Sequence, residues 1–257
     1  MARQNSPLFL SSPSKIRLDA HLVEIGAFVS RARAQAAVRA GFIQIDGSVV
    51  HRPSLSVKPE MRVEILGDVH PYVSRGGLKL EAALEAFGIN PRDNICLDLG
   101  ASTGGFTDVL LRQGATRVFA VDVGRGQLHE KLRKDDRVTS LEGTHANALS
   151  KDIITEPIEL LVCDVSFISL TKVLPHAFDL CASHAAMVAL VKPQFEVGPE
   201  NIGKGGIVSE AVGQTALTNF IEWLNKTHHW EEIDWCDSPI RGGDGNKEFL
   251  VGARKTA

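Results

Sequence analysis

Four charged residues stand at or near the ends of apolar runs, where a buried strand would give way to a loop. They are Asp98 in LDLGASTGGFTDVLL, Asp122 in RVFAVDV, Asp164 closing IELLVCD and Lys192 just after AAMVALV. Charges so placed face whatever the loops hold, and their types say what that could be. The stretch 97–111 reads as strand, glycine-rich turn and helix start. Against the phosphate-loop pattern G-x-x-x-x-G-K-[ST], Gly100, Gly105 and Thr107 are in register, but Phe106 replaces the lysine, and an apolar ring cannot offset phosphate charge. Against the dinucleotide pattern G-x-G-x-x-G, Ser102 replaces the middle glycine, which lets backbone approach a pyrophosphate. Both phosphate readings fail at the residue that would touch phosphate. A carboxylate at the end of the second strand, Asp122, suits the two hydroxyl donors of a ribose, and Asp98 suits an amine or sulfonium. S-adenosylmethionine offers ribose, amine and sulfonium without phosphate. The competing reading is a βα turn with no ligand. Asp164 and Lys192, leaving neighbouring strands, form either a reactive pair or a structural ion pair.

Those residues need a sheet to hold them, and the pattern from Asn94 onward supplies one. Seven strand candidates follow in order: NICLDLG, RVFAVDV, VTSLEG, IELLVCD, AAMVALV, EEIDWCDS and KEFLVGAR. The first five are separated by helical or loop segments, which predicts parallel pairing through crossovers. The last two are close together and predict an antiparallel edge. Ligands on such sheets sit beyond the carboxyl ends of the strands, where Gly100, Asp122, Asp164 and Lys192 all fall. Ahead of the sheet, a helix over about 78–87 ends at Gly88.

The first third has another character. Residues 1–80 carry a net charge of +5 and the remainder −8, so a polyanion would be gripped at the N-terminal end. IRLDAHLVEIGA and RARAQAAVRA read as two short helices, the second capped by Ser30 and stopped by Gly41. FIQI-DG-SVV is a hairpin signal, and MRVEIL adds a strand. Residues 1–14 read as a disordered lead-in, 15–66 as a small α+β unit, 67–76 as a linker and 77–257 as the α/β domain. The four cysteines are scattered without a CxxC pair, which suits buried thiols in a reducing cytoplasm. The nine histidines show no metal-ligand spacing, His228 and His229 being merely adjacent, so no metal is expected. No apolar run is long enough for a membrane span, and no cationic amphipathic helix with aromatic anchors is present.

Two resemblances can be drawn from these segments. Residues 15–66, through "RLD–LVE–G–SR–A–I–G–I–DG–V", resemble the αL-type RNA-binding module of ribosomal protein S-four. Beyond them, YVSRGGLKLEAAL, LDLGASTGGFTD, AVDVGRGQL, CDVSFISL, VKPQFEVGPENIGKGGIV and SPIRGGDGNKEFL together resemble the TlyA (haemolysin-A-like) family of FtsJ-like ribosomal RNA 2′-O-methyltransferases. The resemblance implies a Rossmann-like seven-stranded class I methyltransferase fold using S-adenosylmethionine. It implies a catalytic tetrad of Lys79, Asp164, Lys192 and Glu248. Lys192 would deprotonate a ribose hydroxyl, Asp164 and Glu248 would set its charge, and Lys79 would orient the ribose. The cofactor pocket would take Asp98, Gly100, Ser102, Thr103, Gly104, Gly105, Phe106, Thr107, Asp122 and Val123. Ser102, which spoils the dinucleotide pattern, is then expected. RNA contacts would come from Arg17, Arg31, Arg33, Arg39 and Arg75, on cytidine-bearing small-subunit and also large-subunit RNA, with the protein acting as a monomer in the cytoplasm. The chain departs from the family after its third strand: Glu-x-Thr-Asn-x-Arg becomes Glu142-Gly-Thr144-His145-Ala-Asn147, and Arg125 replaces a tyrosine. That loop borders the adenine side of the pocket in this fold. A second reading is therefore an RNA-binding, ribosome-associated factor with weak turnover. The lytic activity suggested by the family's older name finds no membrane-active segment to support it.

Overall fold

The computed structural model describes residues 16–28, 30–58, 60–66, 70–227 and 230–255. The expected lead-in 1–14 and the histidine pair His228–His229 lie outside the described residues. The chain divides into two compact units between Pro71 and Tyr72.

The first unit starts with a two-residue strand β1 (Ile16–Arg17), which the sequence reading places at the start of a helix. It pairs antiparallel with β4 (Ser56–Val57). Helices α1 (Leu18–Glu24) and α2 (Arg31–Arg39) follow, and Ser30 Oγ caps α2 by accepting from Arg33 N. Strands β2 (Ile43–Ile45), β3 (Ser48–Val49) and β5 (Val63–Ile65) form an antiparallel sheet in the order β3-β2-β5. Ile45 pairs with Ser48, so Asp46-Gly47 makes a two-residue turn, with φ of 49° and 80°. Such a turn needs both central residues in the left-handed region, which aspartate and glycine tolerate best. Leu18, Leu22, Phe28, Ala34, Val38, Ile43 and Val57 close a small core of their own.

The second unit is built on a seven-stranded sheet in the order β11-β12-β10-β9-β6-β7-β8. Its strands are β6 (Ile95–Leu99), β7 (Arg117–Asp122), β8 (Val138–Glu142), β9 (Ile158–Cys163), β10 (Cys181–Val191), β11 (Trp230–Asp237) and β12 (Phe249–Lys255). From β10 through β9, β6 and β7 to β8 every pairing is parallel, as the crossover pattern requires. β12 runs antiparallel to both β10 and β11 and lies between them. Chain order reverses at β6: β7 and β8 build outward on one side, β9 and β10 on the other. The cleft between β6 and β9 is therefore a topological switch point.

Alternate residues of each strand feed two cores. Leu97, Leu99, Phe119, Val121, Leu161 and Met187 face a layer with α6 (Leu170–Val173), α7 (Pro175–Phe178) and α9 (Glu210–Thr227). Cys96, Val118, Ala120, Leu160, Val162, Val188 and Leu250 face α3 (Gly77–Ala86) and α4 (Gly105–Arg112). Burial on both faces explains why these strands read as continuous apolar runs rather than alternating ones. Two short helices complete the unit, α5 (Glu130–Arg133) and α8 (Pro193–Glu196). Tyr72, within the stretch read as a linker, is buried in this unit's core and donates its hydroxyl to Glu81. Val73 N donates to Asp108 Oδ2, so the backbone leading into α3 is fastened to α4.

Candidate active site

The turn after β6 shows why its glycines are needed. Gly100 has φ of +83°, and a Cβ there would lie 2.5 Å from the carbonyl oxygen of Asp164. Only glycine lets the ends of β6 and β9 approach this closely. Gly105 lies against Ser74 and Gly77, leaving no room for a side chain where α4 meets the start of α3. Ser102, with φ of +46°, donates its backbone N–H to Asp122 Oδ2 at 2.8 Å, while Gly124 N–H donates to Asp122 Oδ1 at 2.7 Å. Asp122 thus shapes two loops at once, and each oxygen keeps a lone pair for a further donor.

Asp98 is completely buried beneath this turn. Its Oδ2 accepts from Thr107 Oγ1 at 2.6 Å, and its Oδ1 has no hydrogen-bond partner among the described residues. Burial pushes its carboxyl up to about 7, the Thr107 hydrogen bond opposes this, and the carboxylates of Asp164 and Asp122 add to the rise. An orphaned buried oxygen is costly and calls for an explanation at a site of function.

Two adjoining cavities open beyond the strand ends. The larger, of about 440 Å³, is lined by Asp122 and Val123 on one side, His145 and Asn147 on another, and the Asp164–Ile168 loop. The smaller, of about 280 Å³, is lined by Arg75, Lys79, Thr103, Gly105, Phe106 and Lys192. Gly100, Ser102, Asp164 and Ser166 line both and mark their junction. Of the cofactor residues expected from sequence, Asp98, Gly104 and Thr107 line neither and lie behind the wall. Gly104, at φ of +97°, instead lets the turn into α4 pack on Leu128 and Leu132.

The four residues of the expected tetrad form two pairs. Lys192 Nζ lies 2.6 Å from Asp164 Oδ1 and donates a hydrogen bond to Ser166 Oγ at 2.8 Å. The Asp164 contact is an ion pair by distance, whereas the aligned hydrogen bond goes to the serine. Lys79 Nζ donates to Glu248 Oε2 at 2.6 Å. Glu248 is therefore ion-paired with Lys79. Both lysines and Glu248 are nearly buried, and Asp164 is the most open of the four. Among the described residues, no three His, Cys, Asp or Glu side chains are grouped to hold a metal ion.

Comparison with known proteins fits this geometry. The FtsJ-like methyltransferase family profile matches residues 72–255, and the S4 domain profile matches 16–63. The chain is 41% identical over 241 residues to the 16S/23S rRNA (cytidine-2′-O)-methyltransferase TlyA of Mycobacterium tuberculosis, covering 93% of this chain and 90% of that one. The chain belongs to the TlyA family. Another of its relatives is Hemolysin A of Brachyspira hyodysenteriae, 40% identical with 92% of this chain and 98% of that one covered. A solved Streptococcus thermophilus structure described as a candidate hemolysin superposes with a TM-score of 0.74 at 40% identity, covering 95% of this chain and 90% of that one.

Within this TlyA-family site, three residues escape a reading of the sequence. Ser166 is the first, holding Lys192 from the other strand end. The second is Glu196, whose carboxylate accepts from Ser169 Oγ at 2.6 Å and Leu170 N at 2.9 Å. It clasps the turn that bears Lys192 to the loop that bears Asp164. Phe195 packs against Phe167 as a tilted ring pair, with centroids 5.0 Å apart. Asn246 is the third, buried, accepting from Val208 N and donating to the Gly206 carbonyl. It ties the loop before Glu248 to the loop after α8. A polar residue two to four positions from a charged one is the only signal in the sequence. In the altered loop after β8, Glu142 Oε1 accepts from the backbone N–H groups of Gln127 and Leu128, at 2.6 and 3.0 Å. His145 and Asn147 are exposed toward the larger cavity, and the Arg125 guanidinium rests against Gly143.

The arginines expected to meet RNA fall into two places. Arg17, Arg31, Arg33 and Arg39 belong to the first unit, on or beside its helices. Arg75 belongs to the second, where it is exposed at the smaller cavity with Lys79 and Lys192.

Proposed function

We propose that the chain is an S-adenosylmethionine-dependent ribosomal RNA 2′-O-methyltransferase acting on cytidine ribose, with residues 15–66 binding RNA and 77–257 carrying out the transfer. The observation that carries this reading is Lys192, held between Asp164 and Ser166 where two cavities meet at the switch point. A methyl donor in the larger cavity and a ribose in the smaller would share that wall. The names of the M. tuberculosis relative and of a 23S rRNA (cytidine-2′-O)-methyltransferase TlyA of Campylobacter jejuni support the substrate class.

The residues present suit the cofactor. Asp122, which lines the larger cavity, retains acceptor capacity for ribose hydroxyls, and Gly100 and Ser102 line both cavities beside it. When bound, S-adenosylmethionine supplies an electrophilic methyl on a sulfonium. The chain's own residues supply the rest. Lys192 Nζ, beside Asp164 Oδ1, relays its proton to that carboxylate and takes up the proton of the 2′-hydroxyl. Lys79, neutralised by Glu248, orients the ribose and steadies charge developing on its oxygen. Holding hydroxyl and methyl in line is worth several-fold to many orders of magnitude in rate, depending on alignment. We read the protein as a monomer working in the cytoplasm; no helix among the described residues is long and apolar enough to cross a membrane.

The test is transfer of labelled methyl from S-adenosylmethionine to small and large ribosomal subunits from cells lacking this protein, with sites mapped by resistance to alkaline cleavage. A labelled cytidine that vanishes with Lys192→Ala is the expected result. Binding to either subunit with no label on either would overturn it. That outcome would favour the RNA-binding factor with weak turnover, a reading motivated by His145 and Asn147 at the larger cavity.

A further inference from the structure

In the first unit, one buried carboxylate on α1 gathers side chains from β1 and α2. Asp19, in the first turn of α1, has no solvent-exposed surface. Its Oδ1 accepts from Arg17 Nε at 3.0 Å. Its Oδ2 accepts from Arg17 Nη2 at 2.9 Å, Arg31 Nη2 at 3.1 Å and Gln35 Nε2 at 2.6 Å. The Arg17 guanidinium holds the Asp19 carboxyl well below the usual carboxylate range, so it stays charged at any physiological pH. The backbone around it is pinned as well, Leu18 N donating to the Leu55 carbonyl and Asp19 N to that of Pro53.

Both arginines remain about half exposed, at 51% and 56% of their side-chain surface. A guanidinium has five N–H donors in a rigid plane. Arg17 commits Nε and one Nη2 hydrogen to Asp19, and Arg31 commits one Nη2 hydrogen. The two-point grip fixes the direction of the remaining Arg17 donors, and the single bond from Arg31 tethers its guanidinium beside them. A flexible arginine loses much rotamer freedom on gripping a ligand, and a pre-aligned one has already lost it.

We propose that Asp19 is a positioning residue that aligns Arg17 and Arg31 as a preorganised pair for a backbone phosphate of RNA. The inference rests on the RNA-binding reading given above and deepens it. It leads to an outcome opposite in sign to simple electrostatics. Asp19→Asn removes a negative charge beside two arginines, which by itself strengthens attraction to a polyanion. If alignment matters more than charge, the same substitution weakens binding.

The experiment measures binding of the full chain to deproteinised bacterial ribosomal RNA over a salt series, with circular dichroism and thermal melting as controls. Wild type, Asp19→Asn, Arg17→Lys and the double variant Arg17→Ala/Arg31→Ala run together. The expected result is roughly tenfold weaker binding by Asp19→Asn, with a logarithmic salt slope shallower by about one for each phosphate no longer neutralised. Equal or tighter binding by folded Asp19→Asn overturns the proposal. Should Asp19→Asn unfold the first unit, Arg17→Lys decides, since it keeps the charge and loses the fork: several-fold weaker binding sustains the proposal and unchanged binding ends it. Wild type and the double alanine variant binding equally well would discard the RNA-binding role of this face along with it. A weakened double alanine variant beside an undiminished Asp19→Asn discards only the alignment.

Discussion

Lys79 and Lys192 differ in what their removal leaves behind. Lys192→Ala strips a partner from Asp164, whose side chain is 20% exposed at the cavity junction, so water can enter the space that the lysine leaves. Lys79→Ala abandons Glu248, only 2% exposed, and an unpaired buried charge costs about 3–5 kcal/mol. Thermal melting should therefore show Lys79→Ala clearly destabilised and Lys192→Ala close to wild type, and Lys79→Ala/Glu248→Gln should regain much of the loss. Equal melting of the two single variants would mean that the Lys79–Glu248 pair is more hydrated than its burial implies. Asp98 makes a second residue-scale case. Its carboxyl is held near 7 in the fold against about 3.9 in an unfolded chain. The folded state then binds more protons between those values, so this group's contribution falls as pH rises from about 4 to 7, by at most about 1.4 kcal/mol per unit. Urea unfolding of Asp98→Asn should show its advantage over wild type growing across that window. A constant difference would contradict the assignment. The motif resemblance points to all four charged residues, and the Asp164–Lys192 pair is legible from their neighbouring strand ends; the Lys79–Glu248 pair is not, because its members are 169 residues apart and only the fold brings them together.

At the scale of elements, the site depends on how two loops are fastened. Glu196 ends α8, four residues after Lys192, and its carboxylate fixes Ser169 and Leu170 at the start of α6. Burial raises its pKa while both donors oppose the rise. Glu196→Ala should reduce the methyl-transfer rate about ten- to a hundredfold, because small misplacements at a reacting centre are expensive, and should leave cofactor affinity largely unchanged. Single-turnover assays beside calorimetric titration separate the two, and loss of affinity in proportion to rate would reassign Glu196 to the cofactor site. Nothing in VKPQFEVG distinguishes this glutamate from a solvated one, since its partners lie 26 and 27 residues earlier. The sheet is easier to read. Seven strand candidates correspond to seven strands, and parallel pairing of the first five follows from the crossovers. The position of β12 does not, because an antiparallel strand can add at either side of its predecessor, and the fold places it between β10 and β11. The Asp46-Gly47 turn lies at the other extreme, fully specified by two residues.

At the scale of the molecule, charge and compactness divide the chain at nearly the same place. The basic excess lies in residues 1–80, and the division into compact units falls at Pro71–Tyr72. Replacing Arg31 and Arg33 by glutamine should weaken binding to ribosomal RNA and flatten its dependence on salt by about one to two in logarithmic slope. An unchanged slope would move the RNA-binding role to other residues, Arg75 foremost. Whole-molecule arrangement also governs when the site comes into being. β12 is inserted between strands made earlier, β10 and β11, and Glu248 immediately precedes it. During translation, a chain emerging from the exit tunnel offers Lys79 early and its counter-charge only after every other strand has appeared. Until residues 249–255 arrive, β10 and β11 have no strand between them and the second lysine–carboxylate pair is incomplete. The Lys79–Glu248 pair, distant in sequence, is thus among the last contacts that the chain can close as it is made.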